Sequence, residues 1–408
     1  MAQYIFYLIL IILIFDYLFE RFLDYLNTTR WSNQLPEVLE GIYNKKEYSK
    51  SQAYKKANHK FGMLTSSFSF LLILFMLLFG GFALVDTWVA NLTTQVIPAA
   101  LLFFGILGVA SDLLSTPFDV YDTFVIETKF GFNKTTVKTY IFDKLKGWAI
   151  SAILGGGIFA LIIWIWSITG NLFWLITWGV VTFITLFMTM FYSNLIVPLF
   201  NKQTPLEDGE LKWAISNFAL KSGFQLKNIY LIDGSKRSTK ANAYFTGIGP
   251  KKRIVLYDTL IDDMTTNEIV AVLAHEIGHY KKKHVLSGLF LGILQTGIML
   301  YVFSLLVSSP ALSQALGVDE PKFHIGMIAF GMLYSPLSFI IGIGMNVLSR
   351  KNEYQADAFA ASFGLANDLR SALKKLSVKS LSNLTPHPLY VFFHYSHPTL
   401  LQRLNKLK

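Results

Sequence analysis

The sequence has no cysteine, which excludes disulfide frameworks, thiol nucleophiles, iron–sulfur clusters and cysteine-ligated zinc. Charged residues are also scarce: they make up 15% of the 408 residues, whereas a soluble protein carries about 25%. Repeats of fixed period and low-complexity segments are absent as well. These absences exclude a soluble cytosolic globule and a disordered chain. Any bound metal must use histidine and carboxylate ligands.

Long apolar stretches are abundant instead, and hydrophobic residues account for 53% of the chain. A helix needs about 20 apolar residues to cross a bilayer. The first stretch has no basic leader and no small-residue cleavage site, so we interpret it as a retained span rather than a signal peptide. We predict seven transmembrane helices, at 4–23, 64–85, 96–116, 148–169, 171–200, 285–308 and 323–348.

Basic residues lie almost entirely on one side of the predicted membrane. Seven spans put the termini on opposite faces, and of the 36 lysine and arginine residues only Lys322 falls on the face of the N-terminus. Because positively charged loops stay in the cytosol, we expect the N-terminus outside and the C-terminus in the cytosol. This topology and contact with the lipid bilayer explain the net charge of +10. No nucleic acid partner is expected, since no recognition module is present.

The chain is predicted to form one integral unit, because no linker rich in glycine, serine or proline divides it. Residues 1–200 hold the first five spans with their cytosolic loops, and 201–284 form a cytosolic segment. Residues 285–348 hold the last two spans, and 349–408 form a cytosolic C-terminal segment.

Three short strands are predicted in the first cytosolic segment, at 228–233, 241–247 and 253–257, with a turn at 247–252. We expect 241–247 to be the edge strand of a small sheet. An edge strand beside a catalytic site can bind an extended peptide by main-chain hydrogen bonds. A purely supporting sheet is the alternative.

A capped amphipathic helix is predicted next, because Thr265 and Glu268 form a capping box before apolar residues at helical spacing. His275 and His279 lie one turn apart on it, so both imidazoles can reach one Zn²⁺ ion. Glu276 projects from the same turn and is placed to act as a general base. If the helix continues into the sixth span, His279 lies about 9 Å below the membrane boundary.

Two carboxylates share a helix face just after the last span, Glu353 and Asp357. One of them can complete the metal site while the other orients a ligand histidine through its free ring nitrogen. An ordinary solvated acidic face is the alternative. Glu353 lies about 7.5 Å beyond the end of the span, close to the depth expected for His279. We therefore predict a zinc site at the cytosolic membrane surface.

Two histidines of the C-terminal segment precede proline, His387 and His397, and residues in that position are conformationally restricted. Either could stabilise the oxyanion of a tetrahedral intermediate, and the sequence pattern does not choose between them. The remaining histidines outside the zinc motif are not expected to take part in the site: His59, His284, His324 and His394.

Five motifs together resemble the integral-membrane zinc CAAX prenyl proteases of type 1. They are Glu127-Thr-Lys-Phe-Gly-Phe-Asn-Lys134, Asn242-Ala-Tyr-Phe, His275-Glu-x-x-His279, Arg350-x-x-Glu353-Tyr-x-Ala-Asp357 and Tyr-Ser-His397-Pro-x-x-x-x-Arg403-Leu. The resemblance covers nearly the whole chain. One departure is Thr239-Lys240-Ala241, where the family has a Ser-His-Ser-like run.

This resemblance implies an all-α integral membrane protein whose seven helices form a barrel around a large chamber. A small β-sheet would lie in the cytosolic metalloprotease portion. The resemblance also implies one Zn²⁺ ion per chain on His275, His279 and Glu353, with Glu276 as the general base.

Further roles follow from the same resemblance. It implies that Asp357 lies behind the metal ligands, that Arg403 braces the tail, and that His397 contacts the substrate or the transition state. The expected substrate-binding residues are Asn242, Ala243 and Tyr244.

We therefore predict a zinc endopeptidase that cleaves near the C-terminus of a peptide or protein substrate, which is prenylated in the family's best-known reaction. One alternative is a quality-control protease with no prenyl requirement. Another is a transporter or scaffold with a structural zinc, and the glycine-rich runs 155–157 and 342–344 are interpreted as close helix packing. The expected cellular location is a bacterial inner membrane, or the endoplasmic reticulum membrane in a eukaryotic host.

Overall fold

The computed structural model describes residues 1–32, 34–226, 228–246 and 253–407. The predicted turn at 247–252 lies outside these residues. The N-terminal half is helical, with bounds α1 Ala2–Thr28, α2 Lys45–Leu78, α3 Gly81–Ala90, α4 Val96–Tyr121, α5 Thr128–Phe130, α6 Val137–Ile150, α7 Gly156–Thr169, α8 Phe173–Leu195 and α9 Val197–Phe200. The rest contains α10 Glu210–Lys221, α11 Asp258–Ile261, α12 Thr266–Lys281, α13 His284–Leu306, α14 Pro310–Ala315, α15 Phe323–Ser362, α16 Ala366–Lys379, α17 Pro388–His394 and α18 Leu400–Lys406.

Six helical segments of the described chain are long and apolar enough to cross a membrane. One of them, Val137–Phe200, contains both the fourth and the fifth predicted span. A straight helix of its 64 residues would be about 96 Å long, three times the bilayer core. The segment is broken at Gly170, whose φ is 51°, between α7 and α8. The integral membrane fold is confirmed, and the count of seven spans stays a prediction.

The spans are weakly buried. In their most apolar windows only 6% to 22% of the residues are inside the protein. A helix that packs on a filled core buries a continuous apolar stripe, whereas these spans leave most of their apolar surface free to face lipid or an internal chamber. The glycine runs agree: no described atom lies within 4 Å of the position that a Cβ would take at 155–157, Gly342 or Gly344. Our interpretation of these glycines as close packing points was wrong, because they face open space.

A four-stranded sheet lies outside the apolar helical segments, with strands β1 Gln203–Pro205, β2 Asn228–Ile232, β3 Ala243–Thr246 and β4 Arg253–Tyr257. The spatial order is β1-β2-β4-β3. β2 is parallel to β4, whereas β1 and β3 run antiparallel to their neighbours. The predicted edge strand is confirmed, since within the described part of the chain β3 pairs with β4 alone. The short β1 was not predicted.

The centre of the core around this sheet is α12, which begins with the predicted capping box. The Thr265 side chain accepts from the backbone N–H of Glu268, and the Glu268 carboxylate accepts from the backbone N–H of Thr265. Ile269, Leu273 and Ile277 are each about 1% exposed and pack in one cluster with β2, β4 and α10. This packing fixes α12 in place.

Candidate metal centre

The two histidines of α12 lie side by side, with 3.2 Å between their Nε2 atoms. Helical spacing brings them together, and burial of the helix limits their rotamers: His275 is 7% exposed. α12 ends at Lys281, and α13 begins at His284 after a turn. The depth that we estimated for a continuous helix therefore does not apply to His279.

The third member of the cluster, Glu353, comes from α15. This helix runs unbroken from Phe323 to Ser362, so Glu353 does lie about 7.5 Å beyond the predicted span. α15 approaches α12 very closely at Gly278, where a Cβ would lie 3.0 Å from the Ala356 Cα. The absence of a side chain at Gly278 is therefore what allows a carboxylate of one helix to reach the histidines of the other.

The three side chains fit a tetrahedral metal ion. Glu353 Oε2 lies 3.4 Å from His275 Nε2, and Glu353 Oε1 lies 3.2 Å from His279 Nε2. Ligands at about 2.1 Å from a tetrahedral zinc are about 3.4 Å apart, which matches these separations. Glu353 Oε2 is buried and has no well-formed hydrogen bond from any described residue, although the Arg403 Nη1 group lies 3.3 Å and His275 Nε2 3.4 Å away. A buried carboxylate oxygen is costly unless cations satisfy it, and a metal ion between the three side chains would do so. Among the described residues, this group has three members.

An ion pair lies behind His275. The Asp357 carboxylate accepts from His275 Nδ1 at 2.8 Å and from the Arg403 Nη2 and Nε groups at 2.6 and 2.9 Å. Burial alone would lower the pKa of His275, but the hydrogen bonds to Asp357 and Glu353 outweigh it and raise the pKa to about 9. The surroundings of His275 thus favour a positive charge at the position of the metal.

A third histidine, His284, which we did not expect here, lies behind His279. The Nδ1 atoms of His279 and His284 are 3.1 Å apart, and His284 Nε2 lies 2.8 Å from Gln355 Oε1. Sequence spacing gave no signal for this contact, because it depends on the turn between α12 and α13.

The two histidines that precede proline differ in position. His397 lies at the metal centre, with its Nε2 3.3 Å from Glu353 Oε1 and its side chain 63% exposed. His387 instead caps α17, since its Nδ1 accepts from the backbone N–H of Leu389. Arg350 holds the tail that carries His397 by donating to backbone carbonyls at the end of α17, including Tyr395 at 2.5 Å.

A cavity of about 520 Å³ opens at the metal centre. Glu276, Asn242 and Ala243 line it, so α12 and the start of β3 face each other across it. Tyr244 is not among its lining residues, and its ring lies 6.3 Å from that of Tyr257 on the neighbouring strand. Apolar side chains make up much of the remaining lining: Leu260, Val272, Val285, Met345, Leu348, Leu369, Leu373 and Leu376.

Lys240, at the departure from the family pattern, joins the segment before β3 to the membrane part. Its Nζ donates to Glu127 Oε2 at 2.7 Å and lies 4.4 Å from the ring centroid of Phe132. Tyr54 Oη donates to the same carboxylate at 2.5 Å. Lys240 therefore ties the segment before β3 to the π-helical stretch Asp122–Glu127 that continues α4.

Comparison with protein families gives two matches that together span most of the chain. Residues 24–202 match the family described as CAAX prenyl protease N-terminal, five membrane helices. Residues 205–408 match peptidase family M48.

Individual relatives match over nearly their whole length. The chain is 38% identical to a CAAX prenyl protease 1 homolog of Arabidopsis thaliana, over 96% of this chain and 94% of the relative. It is 36% identical to CAAX prenyl protease 1 of Saccharomyces cerevisiae, over 95% and 92%. The crystal structure of S. mikatae Ste24p superposes with a TM-score of 0.93 at 34% identity, covering 99% of each chain.

Proposed function

Because the chain belongs to the CAAX prenyl protease family of M48 metallopeptidases, we propose that it is a zinc endopeptidase that cleaves near the C-terminus of prenylated peptides. A membrane metallopeptidase acting on peptides or proteins follows from the family, and this disfavours the transporter or scaffold alternative. The observation that carries the proposal is the three-ligand cluster with Glu276 beside it on the cavity wall.

The metal in this proposal is one zinc ion per chain, held by His275, His279 and Glu353. Two imidazoles and one carboxylate are a ligand set typical of catalytic zinc, and a set of three leaves a coordination position open. When bound, the ion supplies a Lewis acid that acidifies a water molecule and polarises the scissile carbonyl. Asp357 and Arg403 support the site from behind, because they hold the ring of His275 in place.

Glu276 is the general base in this mechanism: it accepts the proton of the attacking water and passes it to the leaving amine. His397 stabilises the oxyanion. The Ser396 hydroxyl lies 2.9 Å from His397 Nδ1 and can donate to it, which leaves an Nε2–H to donate into the cavity. We expect His397→Ala to lower kcat by about 10²- to 10³-fold while zinc content is unchanged.

The substrate binds as an extra strand on β3. The free edge of this strand faces away from β4 and can hydrogen-bond an extended peptide. Asn242 and Ala243 are the contacts at its start, since both line the cavity. Tyr244 contributes its backbone to the strand, because its ring lies against Tyr257.

The preference for a prenylated substrate rests on two observations. The relatives named above are CAAX prenyl proteases, and many of the side chains that line the cavity are apolar. An isoprenoid chain gains free energy from burial there, about 0.8 kcal/mol per CH₂ group. A quality-control protease without a prenyl requirement is the alternative that the same site allows.

The test compares a farnesylated CAAX peptide with the same peptide without the farnesyl group, using purified wild-type enzyme. We expect a higher kcat/KM for the farnesylated peptide, and loss of cleavage after chelation with recovery after zinc addition. Equal rates for the two peptides would support the quality-control alternative. Zinc-loaded protein that cleaves neither would contradict the proposal.

The site faces the cytosol in this proposal, because the basic residues cluster on its side of the membrane. The relatives compared here are eukaryotic, so the bacterial inner membrane stays a prediction. Since the chain has no cysteine, single substitutions report orientation directly. An impermeant maleimide added outside intact cells should label Thr94→Cys but not Glu207→Cys, and the reverse pattern would invert the topology.

A further inference from the structure

The two ligand histidines are held in different ways at the ring nitrogen that faces away from the metal. His275 presents Nδ1 to the carboxylate of Asp357. His279 presents Nδ1 to a second imidazole, that of His284, at 3.1 Å. His284 is 8% exposed, and its Nε2 lies 2.8 Å from Oε1 of Gln355. A chain of three groups therefore starts at the half-buried second ligand, passes through the buried His284 and ends at the exposed amide of Gln355.

We propose that His284 and Gln355 form a hydrogen-bonded relay that holds His279 in the tautomer and ring orientation required for metal binding. The inference rests on the proposed zinc site. His279 Nε2 faces His275 and Glu353, so Nε2 is the ligating nitrogen and Nδ1 carries the hydrogen. This N–H donates to His284 Nδ1. His284 then carries its own hydrogen on Nε2 and donates it to Gln355 Oε1.

The opposite direction of the relay is incompatible with the site. If Gln355 donated through its amide nitrogen, His284 Nε2 would accept and His284 Nδ1 would become the donor. His279 Nδ1 would then have to accept, which puts the hydrogen of His279 on Nε2, where the metal binds. With the metal on His279 Nε2, the oxygen of Gln355 must therefore face His284, and this hydrogen bond supports the tautomer of His279 from two groups away.

The backbone is arranged to make this contact. On a continuous helix, His284 would lie about 140° around the axis from His279 and about 7.5 Å along it, out of reach. Lys283 instead adopts a left-handed conformation, with φ 61° and ψ 26°, between α12 and α13. This conformation costs a residue other than glycine about 1–2 kcal/mol. Strain of this kind persists where the surrounding structure holds it, and here it places His284 over the end of α12.

The relay also joins the metal ligand to the membrane part. His284 is the first residue of α13, and Gln355 follows Glu353 by two residues on α15. The relay therefore links α13 directly, and α15 through His284, to the ligand His279 by hydrogen bonds.

Zinc affinity of full-length protein in detergent tests the inference, measured by competition with a chromogenic chelator. We expect His284→Ala to weaken zinc binding about 10- to 100-fold, in the range typical of lost outer partners of metal ligands. His284→Asn should restore most of the affinity, because its amide oxygen can occupy the position of Nδ1. Gln355→Leu should weaken binding as well, since it leaves the tautomer of His284 unspecified. His59→Ala is the matched control: its ring lies against Trp31, and affinity should stay at the wild-type value.

Three outcomes would overturn the relay. Wild-type affinity in His284→Ala or in Gln355→Leu would show that the hydrogen bonds do not act on the metal. If His284→Ala and His284→Asn weaken zinc binding equally, His284 acts by packing and not by its hydrogen bond. If His284→Ala does not fold, the zinc affinities of His284→Asn and Gln355→Leu still test the relay. Wild-type protein that binds no zinc would instead overturn the proposed function, and the relay with it.

Discussion

The helix that carries the histidines and the helices that enter the membrane differ in how much of their surface is buried. In α12, ten of 16 residues are buried, and eight of them, 268–275, are consecutive. In the apolar windows of α1 and α2 the buried share is 6%. Glycines follow the same division: Gly278 of α12 touches the backbone of α15, whereas Gly342 of α15 has open space around it.

This difference separates two tasks. A metal site needs ligands held to within a fraction of an ångström, and only dense packing around α12 provides that. A proteolytic chamber needs room for an extended chain, and weakly packed spans leave that room. α15 belongs to both regions, because it lines open space near Gly342 and supplies Glu353 to the packed site.

The largest expected effect comes from removing a ligand in the packed region. We expect His279→Ala and Glu353→Ala to lose the zinc ion and all peptide hydrolysis, because two ligands do not hold it. Metal analysis of the purified variants by mass spectrometry checks this, with His59→Ala as the control. Unchanged zinc content in either variant would remove that residue from the ligand set.

A smaller effect is expected from Gly278→Ala, which adds one methyl group where the two helices touch. The new Cβ would lie 3.0 Å from Ala356 Cα and 3.1 Å from its carbonyl oxygen, so the helices must move apart by a few tenths of an ångström. We expect a loss of about 1–3 kcal/mol in stability and about tenfold in kcat/KM.

Gly342→Ala is the matched variant on the open side of α15. Its new methyl group meets no described atom within 4 Å, so activity and thermal stability should equal those of the wild type. Equal effects of the two substitutions would contradict the division into a packed site and open spans.

The effect of Glu268→Gln should be confined to stability and depend on pH. Burial would raise the pKa of Glu268, but hydrogen bonds from Lys375, Ser371 and the Thr265 backbone lower it from 4.5 to about 2. A carboxylate with a lowered pKa in the folded state stabilises the fold above pH 4.5, and this stabilisation is lost as the pH falls toward 2.

The lowered pKa corresponds to at most about 3 kcal/mol above pH 4.5. Glu268→Gln should therefore unfold at lower temperature than the wild type at pH 7, and the two melting curves should converge as the pH falls toward 2. Thermal unfolding in detergent at several pH values measures this. A melting difference that does not change with pH would mean that the charge of Glu268 is not involved.

Much of the site followed from local sequence patterns. His275 and His279 are paired by helical spacing alone, and the capping box fixed the start of their helix. Glu353 was expected at this depth because α15 continues straight from the membrane. The hydropathy pattern located the apolar helices but not their number, since α7 and α8 are separated by a break of only a few residues at Gly170.

Other features depend on how the helices meet in space. His284 reaches His279 only because Lys283 is left-handed, and a lysine gives no sequence signal for that conformation. Gly278 and Gly342 look alike in sequence, yet one is in tight contact and the other is not. The choice between His387 and His397 likewise required the position of the C-terminal tail, which Arg350 holds from α15.

The most direct test of the account compares wild-type protein with Glu276→Gln for zinc content and hydrolysis of a farnesylated CAAX peptide. The account predicts about one zinc ion in both proteins, with cleavage reduced at least about 10³-fold in the variant, because the general base is lost while the ligands remain. Full activity in Glu276→Gln would contradict it.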